Sequence, residues 1–264
     1  MTFVVNRKRI RNYSIRFFFL FSLFLVAPLS PQQNDLKNFG NVFVDVIASP
    51  VHFEAKDWQR FGITSGTVSC AFLLDKKVQN FSSGIQSPVL DFLFAIDKYS
   101  VQAAIGGAVG TYIYGLSIKN DKTRELGLRL SESVFTTTII TVALKSLFGR
   151  NRPSVTNDNS IFEPLNITWE KTSFPSGHTS IAFAFSTIMA EENNSDLWKI
   201  LWYSAAVVVG GARVYHNDHW LSDVAAGGLL GYFVGRFVIN HQSNKNDNAP
   251  IIPPPHILSI NIPF

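Results

Sequence analysis

A single cysteine, Cys70, excludes an intramolecular disulfide and a cysteine-rich metal site. Charge is scarce as well. Asp, Glu, Lys and Arg make up 16% of the 264 residues while 46% are hydrophobic, against roughly 25% charged in an ordinary soluble protein. Such a chain can bury a large core, and its composition brings a membrane surface into view as a partner. Acids are missing from residues 1–30, which hold Arg7, Lys8, Arg9, Arg11 and Arg16. Without those five, 18 cations face 19 acids, a balance of −1. The basic sequence pI therefore belongs to the amino terminus and does not point to nucleic acid. There is no internal repeat and no convincing run of strands, so the fold class is all-α.

What the amino terminus does have is a basic stretch followed by Phe17-Phe-Phe-Leu-Phe-Ser-Leu-Phe-Leu-Val-Ala27. A charged n-region before a short apolar h-region is the pattern of a secretory signal peptide. No clean small-x-small cleavage site follows, so residues 1–30 read as a signal peptide or an uncleaved N-terminal anchor. Either places the chain outside the cytoplasm, in a periplasmic or other extracytoplasmic compartment. Residues 31–57 read as a polar lead-in that packs across the main domain, 58–242 as one helical domain, and 243–264 as a Pro/Asn-rich tail.

Within the domain, the spacing predicts loose helicity over 58–74, stopped by a solvated turn at Asp75-Lys-Lys77. An amphipathic stretch over 78–98, broken at Pro88, and an uncharged run over 99–118 follow. Further helices are expected at 124–147, 176–190, 197–212 and 220–240, with a polar loop at 154–174. Loops of that length inside a compact domain are usually functional. Only residues 99–118 reach the roughly 20 uncharged positions that a membrane span needs. The later uncharged cores run about 12 to 14 residues, typical of buried core helices. The sequence thus favours a bundle of about six core helices, soluble or peripherally attached, over an integral one.

Three polar clusters interrupt this apolar pattern. Lys145-Ser-Leu-Phe-Gly-Arg-Asn-Arg-Pro153 lies at a helix end. Its cations complement the helix dipole there, or Arg152 and Lys145 form a phosphate clamp, one as a forked donor and one as a point charge. Phe174-Pro-Ser-Gly-His-Thr-Ser180 looks like a helix start, whose free amides and positive dipole end attract an anion. Ser176 and Gly177 would donate there, with His178 facing the anion. In Arg213-Val-Tyr-His-Asn-Asp-His-Trp-Leu-Ser-Asp223, His219 precedes Asp223 by four residues. On a helix those positions share a face, so the carboxylate either makes a structural hydrogen bond or frees the second ring nitrogen for chemistry. Together the clusters supply three cations, a helix start and two histidines, with no multi-carboxylate or zinc-type ligand set. That combination implies metal-free phosphoryl transfer.

Lys-x6-Arg-Pro, Pro-Ser-Gly-His and Arg-x5-His-x3-Asp, in this order, resemble the type 2 phosphatidic acid phosphatase family. Its superfamily also holds bacterial non-specific acid phosphatases and vanadium haloperoxidases. The resemblance implies an active site at the helix ends on one side of a bundle. His219 would be the nucleophile that forms a phosphohistidine, Asp223 its orienting carboxylate and His178 the general acid and base. Lys145, Arg152, Ser176, Gly177 and Arg213 would hold the phosphoryl oxygens, with no metal and no cofactor. The substrate would be a small phosphate monoester or a lipid phosphate. A vanadate-dependent haloperoxidase and a non-catalytic exported anion-binding bundle are the competing readings. Two positions depart from the family pattern: Ala212 stands where serine is usual, and Asn217 where glycine is frequent. His216 is an extra histidine, expected to cap the turn. Trp220 is expected to be a packing wall, and His241 and His256 to be solvated.

Overall fold

In the computed structural model, residues 33–247 other than 96 are described; the signal-peptide or anchor segment, His256 and most of the tail lie outside them. The helices are α1 (Gln33–Ala48), α2 (Ala55–Gly84), α3 (Pro88–Phe94), α4 (Asp97–Ser117), α5 (Asp121–Phe148), α6 (Gly177–Glu191), α7 (Asp196–Tyr215) and α8 (Leu221–Asp247). Among the described residues the β-structure amounts to one isolated bridge, Arg150 to Phe162. The protein is all-α, with α2 and α4–α8 forming the bundle and α1 packing across α5 and α8.

Local chemistry sets several helix ends. Glu54 and Asp57 form a reciprocal capping box at the start of α2, satisfying amides that the first turn leaves without partners. Ser87 accepts from the Leu90 amide, with Pro88 in the first turn of α3. Asn120 accepts from the Thr123 amide at 2.9 Å to start α5. Gly149 ends α5 at φ +57°, a left-handed angle, and a Cβ there would fall 1.7 Å from the Glu163 carbonyl oxygen.

Small residues let the central helices approach closely. Gly227, Gly231 and Gly235 recur every four residues on one face of α8, against α6. A Cβ at Gly231 would lie 2.0 Å from the Ser180 carbonyl oxygen, and one at Gly227 2.5 Å from that of Ser176. Gly115 and Gly127 bring α4 and α5 into similar backbone contact. Val42, Ala108, Leu130, Ile188 and Val238 close the core from α1, α4, α5, α6 and α8. The pairing of α6 with α8 fixes the start of one helix beside the start of the other, which is where the functional clusters sit.

Two expectations are corrected. Asp75-Lys-Lys77 is not a solvated turn: α2 runs through it without a break, and Asp75 is buried. A buried ion pair to Arg150 draws Asp75 into the interior. His241 is not freely solvated either; it is half-buried on α8, stacked on Phe237 and 3.5 Å from Asp45. The polar lead-in is itself largely helical, because α1 turns Val42 into the core.

Large apolar side chains remain exposed along the outer helix faces. Leu73 on α2, Phe92 on α3 and Leu197 on α7 are 82%, 82% and 75% exposed, with Ile63, Phe81, Ile200 and Val207 nearby in sequence. Scattered apolar residues are normal on a soluble surface, and contiguous ones mark an interaction surface. One described helical segment, Leu221–His241, is long and apolar enough to cross a membrane, and 44% of its apolar window is packed inside the bundle.

Candidate active site

The three clusters meet at one end of the bundle, at the C-termini of α5 and α7 and the N-termini of α6 and α8. The connection between α5 and α6 folds back as an ordered strap. Its 161–165 pass pairs with residues 146–151 and its 170–173 pass with 150 and 152, through Glu163 N–H to Gly149, Asn151 N–H to Ile161, Ser173 N–H to Arg150 and Arg152 N–H to Glu170. The polar loop of the sequence is thus the frame that aims Arg152 and Ser173.

His219 is buried in the turn two residues ahead of α8, not on the helix. The helical i,i+4 geometry expected for His219 and Asp223 therefore does not apply, and Nδ1 is 3.6 Å from Asp223 Oδ2. That oxygen already accepts from the Ser173 hydroxyl at 2.5 Å and the Trp220 amide at 2.9 Å. Ser173 Oγ also lies 3.5 Å from Nδ1, so the serine sits between imidazole and carboxylate. Nε2 faces the other way, 3.5 Å from Arg152 Nη1. Asn217 takes φ +55° in this turn, an angle asparagine tolerates. His216 caps α7, its amide donating to Ala212.

Arg152 is held by carbonyls: Nε donates to Trp169 at 2.9 Å and Nη1 to Asp218 at 3.0 Å, with the guanidinium 4.4 Å above the Trp169 ring. Lys145 Nζ donates to the Thr172 and Ser173 carbonyls. Gly177 lies beside it; a Cβ there would touch Lys145 Cε at 3.6 Å. Ser176 is the N-cap residue of α6 but its hydroxyl caps nothing; it accepts from Thr179 at 2.9 Å, leaving its own proton to donate. Arg213 is engaged by two carboxylates, Asp97 at 2.5 Å and Asp218 at 2.7 Å, while its buried Nε has no hydrogen-bond partner among the described residues. An anion among these groups would meet one open donor on Arg213, not a free fork.

Electrostatics set the protonation states. Burial, then the charges of Arg152, Lys145, Arg213 and His178, hold the His219 imidazole well below its ordinary pKa, so it is neutral. Burial and the same three cations bring His178 down to about 3. Burial and Arg152 bring Lys145 down to about 7. These shifts describe an electropositive, dehydrated pocket, and an anion among the cations would oppose each of them.

Sequence reasoning missed Ser173, Asp97 and Asp218, and it took Arg150 only as part of the basic stretch. Ser173 directly precedes the Phe174–Ser180 cluster, so adjacency was its one available signal. Trp220, expected as a wall, is buried with its indole N–H donating to the Asn151 carbonyl at 2.9 Å.

Residues 126–247 match the model of the PAP2 superfamily. Over 93 residues the chain is 37% identical to the lipid A 1-phosphatase of Porphyromonas gingivalis, covering 34% of this chain and 18% of that protein. Over 123 residues it is 29% identical to an undecaprenyl-diphosphatase of Sulfolobus acidocaldarius, covering 46% of this chain and 58% of that one. The match thus spans less than two thirds of either relative. The solved structure of a transmembrane PAP2-type phosphatidylglycerolphosphate phosphatase from Bacillus subtilis aligns at 21% identity and a TM-score of 0.49, over 80% of this chain and 96% of that one. All three motifs are present in order, and the match to the PAP2 superfamily runs over residues 126–247, from α5 through α8.

Proposed function

We propose that this protein is a metal-independent phosphatase of lipid phosphates or related phosphate esters, acting through a phosphohistidine on His219. The observation that carries the reading is the buried His219, whose Nε2 faces Arg152 while Nδ1 faces Ser173 and Asp223. The relatives' names supply the lipid phosphate and lipid diphosphate classes.

In the first step the Nε2 lone pair attacks phosphorus as the ester oxygen leaves. An N–P bond forms, a P–O bond breaks, and His178 delivers its proton to the leaving oxygen. Asp223 and Ser173 stabilise the positive ring. In the second step His178 takes a proton from water, whose oxygen attacks phosphorus and releases His219 and phosphate. Lys145, Arg152, the Ser176 hydroxyl, the Gly177 amide and Arg213 Nε would hold the phosphoryl oxygens as charge shifts among them. The negative charge of a bound phosphate would oppose the burial and the cations that hold the His178 pKa low, and so favour its acid form. The large exposed apolar side chains on α2, α3 and α7 support a membrane-associated protein that meets its substrate at a lipid surface. Its export rests on the basic and apolar segment of residues 1–30.

The test is phosphate release from a panel of lipid and soluble phosphate esters by the full chain in detergent, with EDTA present. Release from lipid phosphates in EDTA, lost in His219→Ala, is the expected result. Activity abolished by EDTA would refute the metal-free mechanism, and no release from any ester would refute the phosphatase.

A further inference from the structure

Beneath the site lies a sealed ionic cluster that meets the proposed chemistry only through Asp223. Arg150 is completely buried, as are Asp223 and Ser222, and Asp75 is 1% exposed. Arg150 Nη1 donates to Asp223 Oδ1 at 2.5 Å and to Ser222 Oγ at 2.7 Å; Nη2 donates to Asp75 Oδ2 at 2.7 Å. Nε and Nη2 both donate to the Asn159 carbonyl, at 3.0 and 2.8 Å. Phe72, Phe162 and Trp220 surround the guanidinium, at 4.9 to 5.6 Å from ring centroids.

Asp75 is saturated in turn. Oδ1 accepts from the Ser222 amide at 2.8 Å, and Oδ2 from the Ser222 hydroxyl at 2.7 Å and Asn159 Nδ2 at 3.3 Å. A carboxylate on α2 therefore caps the first turn of α8 from another helix and holds the far end of the guanidinium that grips Asp223. Asp75 lies outside the stretch that matches the family, 126–247. Two carboxyl groups thus share one guanidinium in a dry interior, on the side of Asp223 away from His219. A buried polar network of this kind is costly to keep unless every member is satisfied, and here both oxygens of each carboxylate have partners.

We infer that Asp75, acting through Arg150 and Ser222, is a positioning residue of the phosphoryl-transfer site that fixes the orientation and charge of Asp223 opposite His219. This rests on the phosphohistidine reading of the site. Asp75 touches no reacting atom. It keeps Arg150 from neutralising Asp223 alone, so that Asp223 Oδ2 stays available to the cationic ring that forms during turnover. Burial pushes the Asp223 carboxyl up, and Arg150 first, then Ser173 and the Trp220 amide, pull it back. The balance between these depends on how far Arg150 is shared with Asp75.

The experiment compares the full chain with Asp75→Asn, which keeps the shape, and Ser222→Ala, a milder change that leaves the Ser222 amide in place. For each, kcat, KM and the pH profile of phosphate release from a short-chain lipid phosphate are measured beside thermal unfolding. A parallel 15N spectrum of labelled histidines reports the tautomer and pKa of His219, and does so without turnover. Asp75→Asn is expected to lower kcat by about tenfold to a hundredfold, the scale seen when outer-shell partners are removed. KM should change little, and the His219 titration should move. Ser222→Ala should shift both in the same direction by less, and it carries the test if Asp75→Asn does not fold. Unchanged kcat, pH profile and His219 tautomer in a folded variant would overturn the inference. If the wild type released no phosphate, the function reading would fail alone, and the tautomer comparison would still decide whether Asp75 positions His219 through Asp223.

Discussion

The α6–α8 interface offers a perturbation of known sign. Gly231→Ala places a methyl group 2.0 Å from the Ser180 carbonyl oxygen and 2.8 Å from the Ala184 amide nitrogen. Both neighbours are backbone, so no rotamer change relieves the contact, and the helices must separate by about 1 Å or more. Overpacking a well-filled interior costs about 1–3 kcal/mol, and backbone contact belongs at the upper end. Alanine returns up to about 1 kcal/mol of helix propensity, so the net loss is about 2 kcal/mol. In a domain of this size that lowers Tm by about 4–8 °C. Gly66→Ala is the matched control: it lies within α2, with nothing within 4 Å of the added Cβ. It gains propensity without the clash, and Tm should rise by about 2–4 °C. Thermal unfolding in one detergent reads both. The interface also spaces Ser176 and His178 from Asp223, and a 1 Å displacement of catalytic groups can cost about a hundredfold in rate. Gly231→Ala should therefore lose turnover well below its melting temperature. A Gly231→Ala protein that melts at or above wild type would refute the packing argument.

Two further expectations concern the chemistry. With burial and Arg152 bringing Lys145 down to about 7, its ammonium is present below that pH and lost above it. Phosphate capture, read as kcat/KM, should fall as pH rises through about 7. Lys145→Arg keeps its charge, so the ratio of the two profiles, in which substrate ionisation cancels, should show the arginine variant gaining at alkaline pH; a flat ratio would contradict the assignment. Read as kcat/KM, which reports the steps up to phosphohistidine formation and not its hydrolysis, His178→Asn should slow alkyl phosphates by about 10²–10⁴ and aryl phosphates much less, because an aryl oxygen leaves without a proton. Equal losses on both would remove His178 from the acid role.

Much of the site could be read from sequence because it is local. Each motif carries its own helix end: Lys145 and Arg152 flank the Gly149 stop, Ser176 and His178 flank the start of α6, and His219 and Asp223 flank the start of α8. The rest was hidden for one physical reason, long-range pairing of charges. Asp75 within Asp75-Lys-Lys77 has the composition of a solvated turn, and only a guanidinium 75 positions along the chain makes it interior. Asp97 likewise stands at the start of an uncharged run, and its partner Arg213 arrives from α7. The His219–Asp223 pair was legible as a pair but not in its geometry. The i,i+4 rule holds on a helix, and His219 precedes the helix, which leaves room for Ser173 between them.

The central claim is that His219 becomes phosphorylated. Rapid acid-free quenching of the full chain with a 32P-labelled lipid phosphate, followed by peptide mapping, tests it directly. The account expects acid-labile, base-stable label on the peptide carrying His219, formed and lost at rates matching turnover and missing in His219→Ala. Label on another residue, or steady turnover with no labelled protein while His219→Ala stays active, would contradict it.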